Sequence, residues 1–506
     1  MGLARSWSVA LFGVDGLAVE IEADVGTGQP KTQLLGLPDA ALHESKERVK
    51  AAVRNSAEEW PKQRVVLGLS PAAMPKGGSG YDLAIACATL AAANTVPSER
   101  LAGTVLIGEL ALDGRVRAVR GVLPSLLAAR RAGLCRAVVP TETLPEAALV
   151  DGVELLGATR LAEVLSWLRG ADDVLTSPPT PAEQPLPASP DLEDVLGQPE
   201  ARWALEVAAA GAHHLLLTGP PGTGKTMLAQ RLIGLLPPLT NDEALAVTAV
   251  HSVAGMLTPE SPLVTLPPYV SLHHSTSIAA LVGGGAGLAK PGAVSRAHRG
   301  VLFLDEACEF GPRTLEALRT ALEEGEVRLA RRDGIVRYPA RFQLVMATNP
   351  CPCAPPKEID CCCTSTVRRR YSAKLSGPLL DRVDLRVRMR PLTAMTGAEA
   401  GTPEPTGLVR ERVLKARARA TARWSAHGYT WTTNAEVPGP VLRREFALPR
   451  QSTSLLDRGL ASGVLTGRGA DRCLRVAWTL SDLSESDRPT ADHVAAALEF
   501  RERRSA

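Results

Sequence analysis

Leu215-Leu216-Leu217-Thr218-Gly219-Pro220-Pro221-Gly222-Thr223-Gly224-Lys225-Thr226 is the stretch on which the reading of this chain turns. A short apolar run suited to a buried strand enters a glycine-rich octet, and Met227–Leu236 continues as a helical pattern. Glycines at 219, 222 and 224 let backbone N–H groups turn inward toward an anion, at the positive end of the helix that follows. Residues 219–226 therefore read as a P-loop for ATP. Lys225 would reach the β- and γ-phosphate oxygens, and the Thr226 hydroxyl would take one Mg²⁺ position.

Three further segments extend this reading. Val301-Leu302-Phe303-Leu304 is uniformly apolar and ends in Asp305-Glu306, the form of a Walker B strand. There Asp305 would hold Mg²⁺ through water and Glu306 would polarise the attacking water. Phe342–Ala347 is another apolar run and ends in Thr348-Asn349, where the amide would orient the lytic water, the role called sensor 1. Ser376–Leu385 then places Arg382 after a tight turn, from which it would reach a neighbouring subunit's γ-phosphate. Such an arginine finger raises turnover by ~10³–10⁵. Four elements in this order point to hydrolysis of ATP as well as binding.

With 506 residues the chain exceeds a single core, and three or four domains are expected. The formal charge of +3 is too small to argue for nucleic acid by itself. Its distribution is uneven. Residues 407–506 carry 17 Lys/Arg against 11 Asp/Glu, a local +6, so the remainder sums to −3. No apolar run reaches the length of a membrane span and no signal peptide opens the chain, so a cytoplasmic protein without a membrane partner is expected.

Residues 1–170 alternate strand-like and helical stretches, an α/β domain in its own right. Val19–Ala23 and Arg64–Leu69 read as strands, and Asp39–Ser56 as an amphipathic helix. Residues 171–190, rich in Pro, Ser and Thr, read as a linker. The ATPase core is expected over 191–395, with Thr396–Thr406 a second linker, and a helical domain over 396–506.

Two features are not needed for hydrolysis. Five of the nine cysteines fall within 351–363, and Cys351, Cys353, Cys361 and Cys363 form two Cys-x-Cys pairs separated by seven residues. They would wrap one tetrahedral Zn²⁺, or remain reduced loop thiols. Glu326–Phe342 reads as two strand-like arms around Asp333-Gly334, a hairpin turn signal. Its arms and tip carry Arg328, Arg331, Arg332 and Arg337, a basic hairpin for DNA phosphates or a solvated charged face. Adjacent His273 and His274 are expected to make loop hydrogen bonds, because sequence neighbours seldom ligate one ion.

Together GPPGTGKTMLAQRL, PGAVSRAHRGVLFLDE, YPARFQLVMATNPCPC and LSGPLLDRVDLRV resemble the Mg-chelatase-like branch of AAA+ ATPases, and within it the ComM/YifB family. The resemblance covers nearly the whole chain. It implies a P-loop AAA+ core with a helical lid, assembled as a hexameric ring that moves DNA, in branch migration during recombination and natural transformation. By it Arg382 is the finger acting in trans, Arg468 the sensor 2 arginine, and the hairpin faces the pore, with Arg331 and Arg332 on DNA. A helix-start surface arginine is the plainer reading of Arg468. Where the family tends to carry Arg-Pro-Phe-Arg-x-Pro before the two histidines, this chain has Pro267–Leu272, which weakens that insert as a DNA contact. A magnesium-chelatase motor subunit and a protein-remodelling ATPase are the alternatives.

The N-terminal domain resembles the proteolytic domain of Lon, most clearly in Leu106–Val116. The Lon serine falls on Gly80 and the Lon lysine on Leu123, so proteolysis is not expected.

Overall fold

The computed structural model describes residues 2–502 apart from 37–38, 73, 75, 180–188, 286–288, 332–333 and 392–402. Strands in the first third of the chain form a seven-stranded sheet in the spatial order Lys31–Leu35, Arg64–Ser70, Asp15–Gly26, Gly2–Phe12, Thr104–Leu106, Arg136–Pro140, Glu154–Ala158. The alternation read over Val19–Ala23 is the core-facing set of the long second strand, where Val19, Ile21, Ala23 and Val25 are all buried. Helix Ala40–Asn55 starts where Asp39 caps it, its carboxylate accepting from the Leu42 N–H at 2.8 Å. The Pro-rich segment after residue 170 does not begin as free linker. Leu175 is buried, and Thr176 exchanges two backbone hydrogen bonds with Gly157 at the sheet edge.

The second sheet has five parallel strands in the order Tyr269–Leu272, Val301–Leu304, Gln343–Thr348, Leu215–Thr218, Leu385–Arg388. In chain order this is 2-3-4-1-5, with the P-loop strand between the fourth and the last. Parallel strands covered on both faces read as unbroken apolar runs. Here Leu215, Leu217, Val301, Phe303, Val345 and Ala347 enter one core. Leu216, Leu302, Leu304, Leu344 and Met346 enter the other.

The first of these cores also contains the C-terminal helices Thr406–Ala426, Arg450–Ala461, Gly467–Leu483 and Ala491–Glu502. Trp424 is its centre, with Phe446 and Trp478 edge-on at 4.9 and 5.9 Å. The two ends of the ATPase region are tied together, because Asp191 accepts from both the N–H and the hydroxyl of Thr406, at 2.8 and 3.0 Å.

The basic hairpin is present as Glu326–Arg331 paired with Gly334–Pro339. Arg331 pairs with Gly334, which moves the turn one residue earlier than the Asp-Gly signal suggests. The hairpin packs on both domains: Val336 and Tyr338 meet Val14 of the N-terminal domain and Ala289 and Val253 of the ATPase region. At Gly13, φ is +72° and a Cβ would lie 2.4 Å from the Arg337 carbonyl oxygen, so only glycine permits this approach. A second contact joins Glu146 to both domains, its Oε1 accepting from Leu123 N–H and the Ser252 hydroxyl. Among the described residues no helix is long and apolar enough to cross a membrane.

Below the P-loop strand, a buried polar cluster joins core to lid. Asp384 accepts from Arg472 Nη1 at 2.6 Å and from the His214 N–H at 3.0 Å. Burial by itself would raise the Asp384 pKa, but the Arg472 guanidinium, with the adjacent His213 ring, holds it well below the ordinary carboxylate value. His214 Nδ1 accepts from the Leu344 N–H at 3.0 Å, so its ring is neutral, and burial lowers its pKa to about 4. Asp384→Ala should destabilise the protein by about 3–5 kcal/mol, since it strands Arg472 without its counter-charge. The midpoint of urea unfolding reads this. The His214 contribution should be complete above its unfolded pKa of about 6.5 and be lost as pH falls toward 4. Melting temperatures across that range should fall more steeply for the wild type than for His214→Asn.

Candidate nucleotide site

At the C-terminal ends of three adjacent strands the predicted side chains converge. The Lys225 ammonium donates to the Gly219 and Pro220 carbonyls at 2.6 and 2.8 Å and to Asn349 Oδ1 at 3.2 Å. P-loop lysine and sensor 1 amide are therefore in contact across neighbouring strands. Burial lowers the Lys225 pKa, while Asp305 and Glu306 act against that shift. Gly222 and Gly224 take φ of +78° and +87°, the left-handed region the inward turn requires. The Thr223 hydroxyl donates to the Pro220 carbonyl at 2.9 Å and holds the turn closed.

Thr226 Oγ1 and Asp305 Oδ2 are 3.0 Å apart. Two hard oxygen ligands beside the phosphate-binding lysine fit Mg²⁺, which takes one or two protein oxygens and completes its shell with water and phosphate. The ion would neutralise charge on the β- and γ-phosphates.

Glu306 adopts a left-handed backbone with φ of +50° and is exposed. The expected loop bonding of the histidines is seen at His273, whose Nδ1 meets Ser275 Oγ at 3.0 Å. His274 does something that sequence reading missed. Its Nδ1 lies 3.1 Å from Glu306 Oε2, and an ionised carboxylate only accepts, so the ring donates. Gln198 was also missed. With a left-handed backbone it donates through Nε2 to the Arg390 carbonyl at 2.6 Å and tethers the P-loop side to the chain leaving the last strand.

Arg382 stands elsewhere. It precedes the last strand, whose Leu385 pairs with Leu215, whereas the P-loop follows Thr218 at the other end. One strand length, roughly 10 Å at about 3.3 Å per residue, separates the two edges. Arg382 is 5% exposed, ion-paired with Glu323, and donates to the Pro378 carbonyl at 2.5 Å. Burial and the nearby Arg319, Arg468 and Arg472 charges lower its pKa. Arg468 lines the same cavity of about 720 Å³, together with Arg472, Arg475 and Glu323. The structure thus gathers Arg382 and Arg468 at the sheet edge opposite their own P-loop.

The sulfurs of Cys351, Cys353, Cys361 and Cys363 all lie within 4.8 Å of one another. Of the hairpin arginines, Arg328 is occupied by Glu324 and Glu326, Arg337 is exposed, Arg331 closes the first strand, and Arg332 lies outside the described residues. In the N-terminal domain Leu123 is fully buried among aliphatic side chains. Ser79 donates to Glu109, and Lys76 donates to the Pro71 and Met74 carbonyls. No Ser–Lys pair is present at this place among the described residues.

Models of the magnesium chelatase subunit ChlI match residues 191–396, of the ChlI subunit of Mg-chelatase residues 21–143, and of the ChlI C-terminal region residues 403–501. An uncharacterized protein of Mycobacterium tuberculosis is 58% identical over 503 residues, 99% of each chain. YifB of Escherichia coli is 38% identical over 502 residues, covering 99% of this chain and 97% of its own. Competence protein ComM of Haemophilus influenzae is 37% identical over 507 residues, covering 99% and 98%. The chain belongs to the ComM/YifB family. Members share the Mg-chelatase-like AAA+ core found here, and this member is an ATPase that works with ATP and Mg²⁺. A partial match to Lon protease of Bacillus thuringiensis, 28% identical over 178 residues (33% of this chain and 22% of that one), accompanies the Lon-like α/β domain that precedes the core.

Lys225→Ala should abolish ATP binding, because it removes the cation at the phosphate cradle. Glu306→Gln should bind ATP as the wild type does and lose turnover by ~10²–10⁴, the usual contribution of a general base. Equilibrium binding of a fluorescent ATP analogue, beside a phosphate-release assay, separates the two.

Proposed function

We propose that this ComM/YifB protein is a ring-forming motor in the cytoplasm that hydrolyses ATP between subunits to move DNA, as a branch-migration helicase in recombination and natural transformation. One observation carries the ring: Arg382 and Arg468 occupy the sheet edge opposite their own P-loop. From there each arginine would reach a neighbour's γ-phosphate, a head-to-tail arrangement that forms a ring where the rotation between subunits closes. A hexamer follows from the family resemblance. Arg382 would exchange its Glu323 partner for phosphate on assembly.

Support for DNA comes from the likeness to competence protein ComM and from the basic hairpin, whose first strand ends at Arg331, next in sequence to Arg332. A hairpin projecting into a pore would touch the phosphate backbone without reading sequence. On this reading Glu306 is the base, Asn349 orients water, and the four cysteines hold a structural Zn²⁺.

Arg382→Ala should leave ATP binding intact and suppress turnover by ~10³ or more. Mixed with Lys225→Ala subunits it should regain part of that turnover, since some interfaces then pair an intact finger with an intact P-loop. No recovery in mixed rings, with mixing shown by subunit exchange, refutes action in trans. Arg331→Ala/Arg332→Ala should keep basal ATPase but weaken binding to forked DNA. Its log–log salt slope should flatten by ~0.7–0.9 for each phosphate no longer neutralised. Unchanged DNA affinity and salt slope would remove the hairpin from the DNA path.

A further inference from the structure

Thirteen residues, 351–363, hold all four converging sulfurs, and this loop leaves the ATP site directly. Cys351 follows Asn349 by two positions and is 2% exposed. Its Sγ lies 3.4 Å from both Cys353 and Cys361, and Cys353 lies 3.6 Å from Cys361. Four ligands at about 2.3 Å from a tetrahedral centre stand about 3.8 Å apart. The sulfurs are thus arranged around one ion. An iron–sulfur cluster would divide the four cysteines among two or four irons and hold sulfurs on different irons farther apart. A tetrahedral all-thiolate set selects zinc among hard and soft divalent ions. Cys362 stands outside the group and is exposed.

Little else fixes this loop. Among the described residues of 350–364 the regular structure is one turn, Glu358–Asp360, and Ile359 is 90% exposed. On either side, however, the chain is firmly placed. Upstream, Asn349 ends a buried strand and contacts Lys225. Downstream, Thr364 caps helix Ser365–Ser372, Tyr371 is buried in the core beneath the Walker B strand, and Lys374 pairs with Glu309 at 3.3 Å. Arg382 follows eight residues later.

We infer that Cys351, Cys353, Cys361 and Cys363 bind one Zn²⁺ whose task is to position Asn349 against Lys225 for hydrolysis, the cysteines acting as positioning residues. This rests on the reading of Asn349 as the group that orients the attacking water. The four thiols give up their protons to solvent and bind the ion as thiolates. The site then closes the loop just beyond the sensor residue, so that its amide keeps one place while ATP is exchanged.

Metal analysis of the full chain should give one zinc per subunit. Cobalt(II) loaded in its place should show the intense visible bands of a tetrahedral thiolate complex. Cys353→Ser/Cys363→Ser should lose the metal and lower kcat roughly 10²-fold, as a misplaced catalytic group does, with ATP affinity changed less than about twofold. Cys363→His, which retains a zinc ligand, should keep metal and turnover, and Cys362→Ser should behave as wild type. Fully active protein without metal overturns the site. Zinc loss with unchanged kcat overturns the positioning role. Asn349→Ala is the separate control: an unchanged kcat there refutes the reading of Asn349, whatever the metal content.

Discussion

Asp384 is the buried charge around which three parts of the molecule are arranged. Its carboxylate, 2% exposed, accepts from the backbone at the start of the P-loop strand and from Arg472 on the lid helix Gly467–Leu483. Its own backbone N–H donates to the His214 carbonyl, so it also sets the entry of the last strand. A charge this deep is tolerated only where partners replace the lost water. The partners here come from the core sheet and the lid, so lid placement and sheet register are settled by the same carboxylate. Arg382, two residues earlier, inherits its position from that anchor.

The parallel sheet separates two kinds of chemistry onto its two edges. Phosphate, Mg²⁺ and water ligands collect at the C-terminal ends of the strands, where open α/β sheets place their ligands. The guanidinium groups of Arg382, Arg468 and Arg472 collect at the N-terminal ends, screened within the chain by Glu323 and Asp384. One chain thus carries its phosphate-binding groups and this arginine cluster on opposite edges of a single sheet, with Arg382 and Arg472 ion-paired to carboxylates of the same chain.

The N-terminal domain has a partial match to a Lon protease, and among its described residues no Ser–Lys pair stands at the corresponding place. A leucine in the core replaces the lysine, and Ser79 faces a carboxylate. What the domain does make is contact. Gly13 and Val14 press on the hairpin strand that holds Val336 and Tyr338, and Glu146 reaches Ser252 on the helix before the histidine insert. Both elements belong to the ATPase region, so the N-terminal domain contacts the hairpin and the helix Asn241–Ala254 directly.

The sequence determined the chemistry of the nucleotide site. Glycines, lysine and hydroxyl at fixed spacing, and carboxylates and an amide at the ends of apolar runs, are legible because phosphate binding leaves few alternatives in local backbone and residue type. Three of the five parallel strands, Leu215–Thr218, Val301–Leu304 and Gln343–Thr348, were readable for the same reason, as apolar runs in the sheet interior. The edge strands Tyr269–Leu272 and Leu385–Arg388 carry exposed Ser271 and Arg388 and were not read as strands. The C-terminal region was legible as helical, and among its described residues it does form helices, Arg450–Ala461 and Gly467–Leu483 among them. Three features required the tertiary structure. His274 meets Glu306 across a 32-residue separation, Asp384 meets Arg472 across 88, and Gly13 meets Arg337 between domains. None has a local pattern, because each contact is made by strand order and domain packing rather than by neighbours along the chain. The sulfurs lie between these cases. Their spacing named a metal or free thiols, and only the folded loop brought all four to one point, since convergence depends on backbone path and not on spacing.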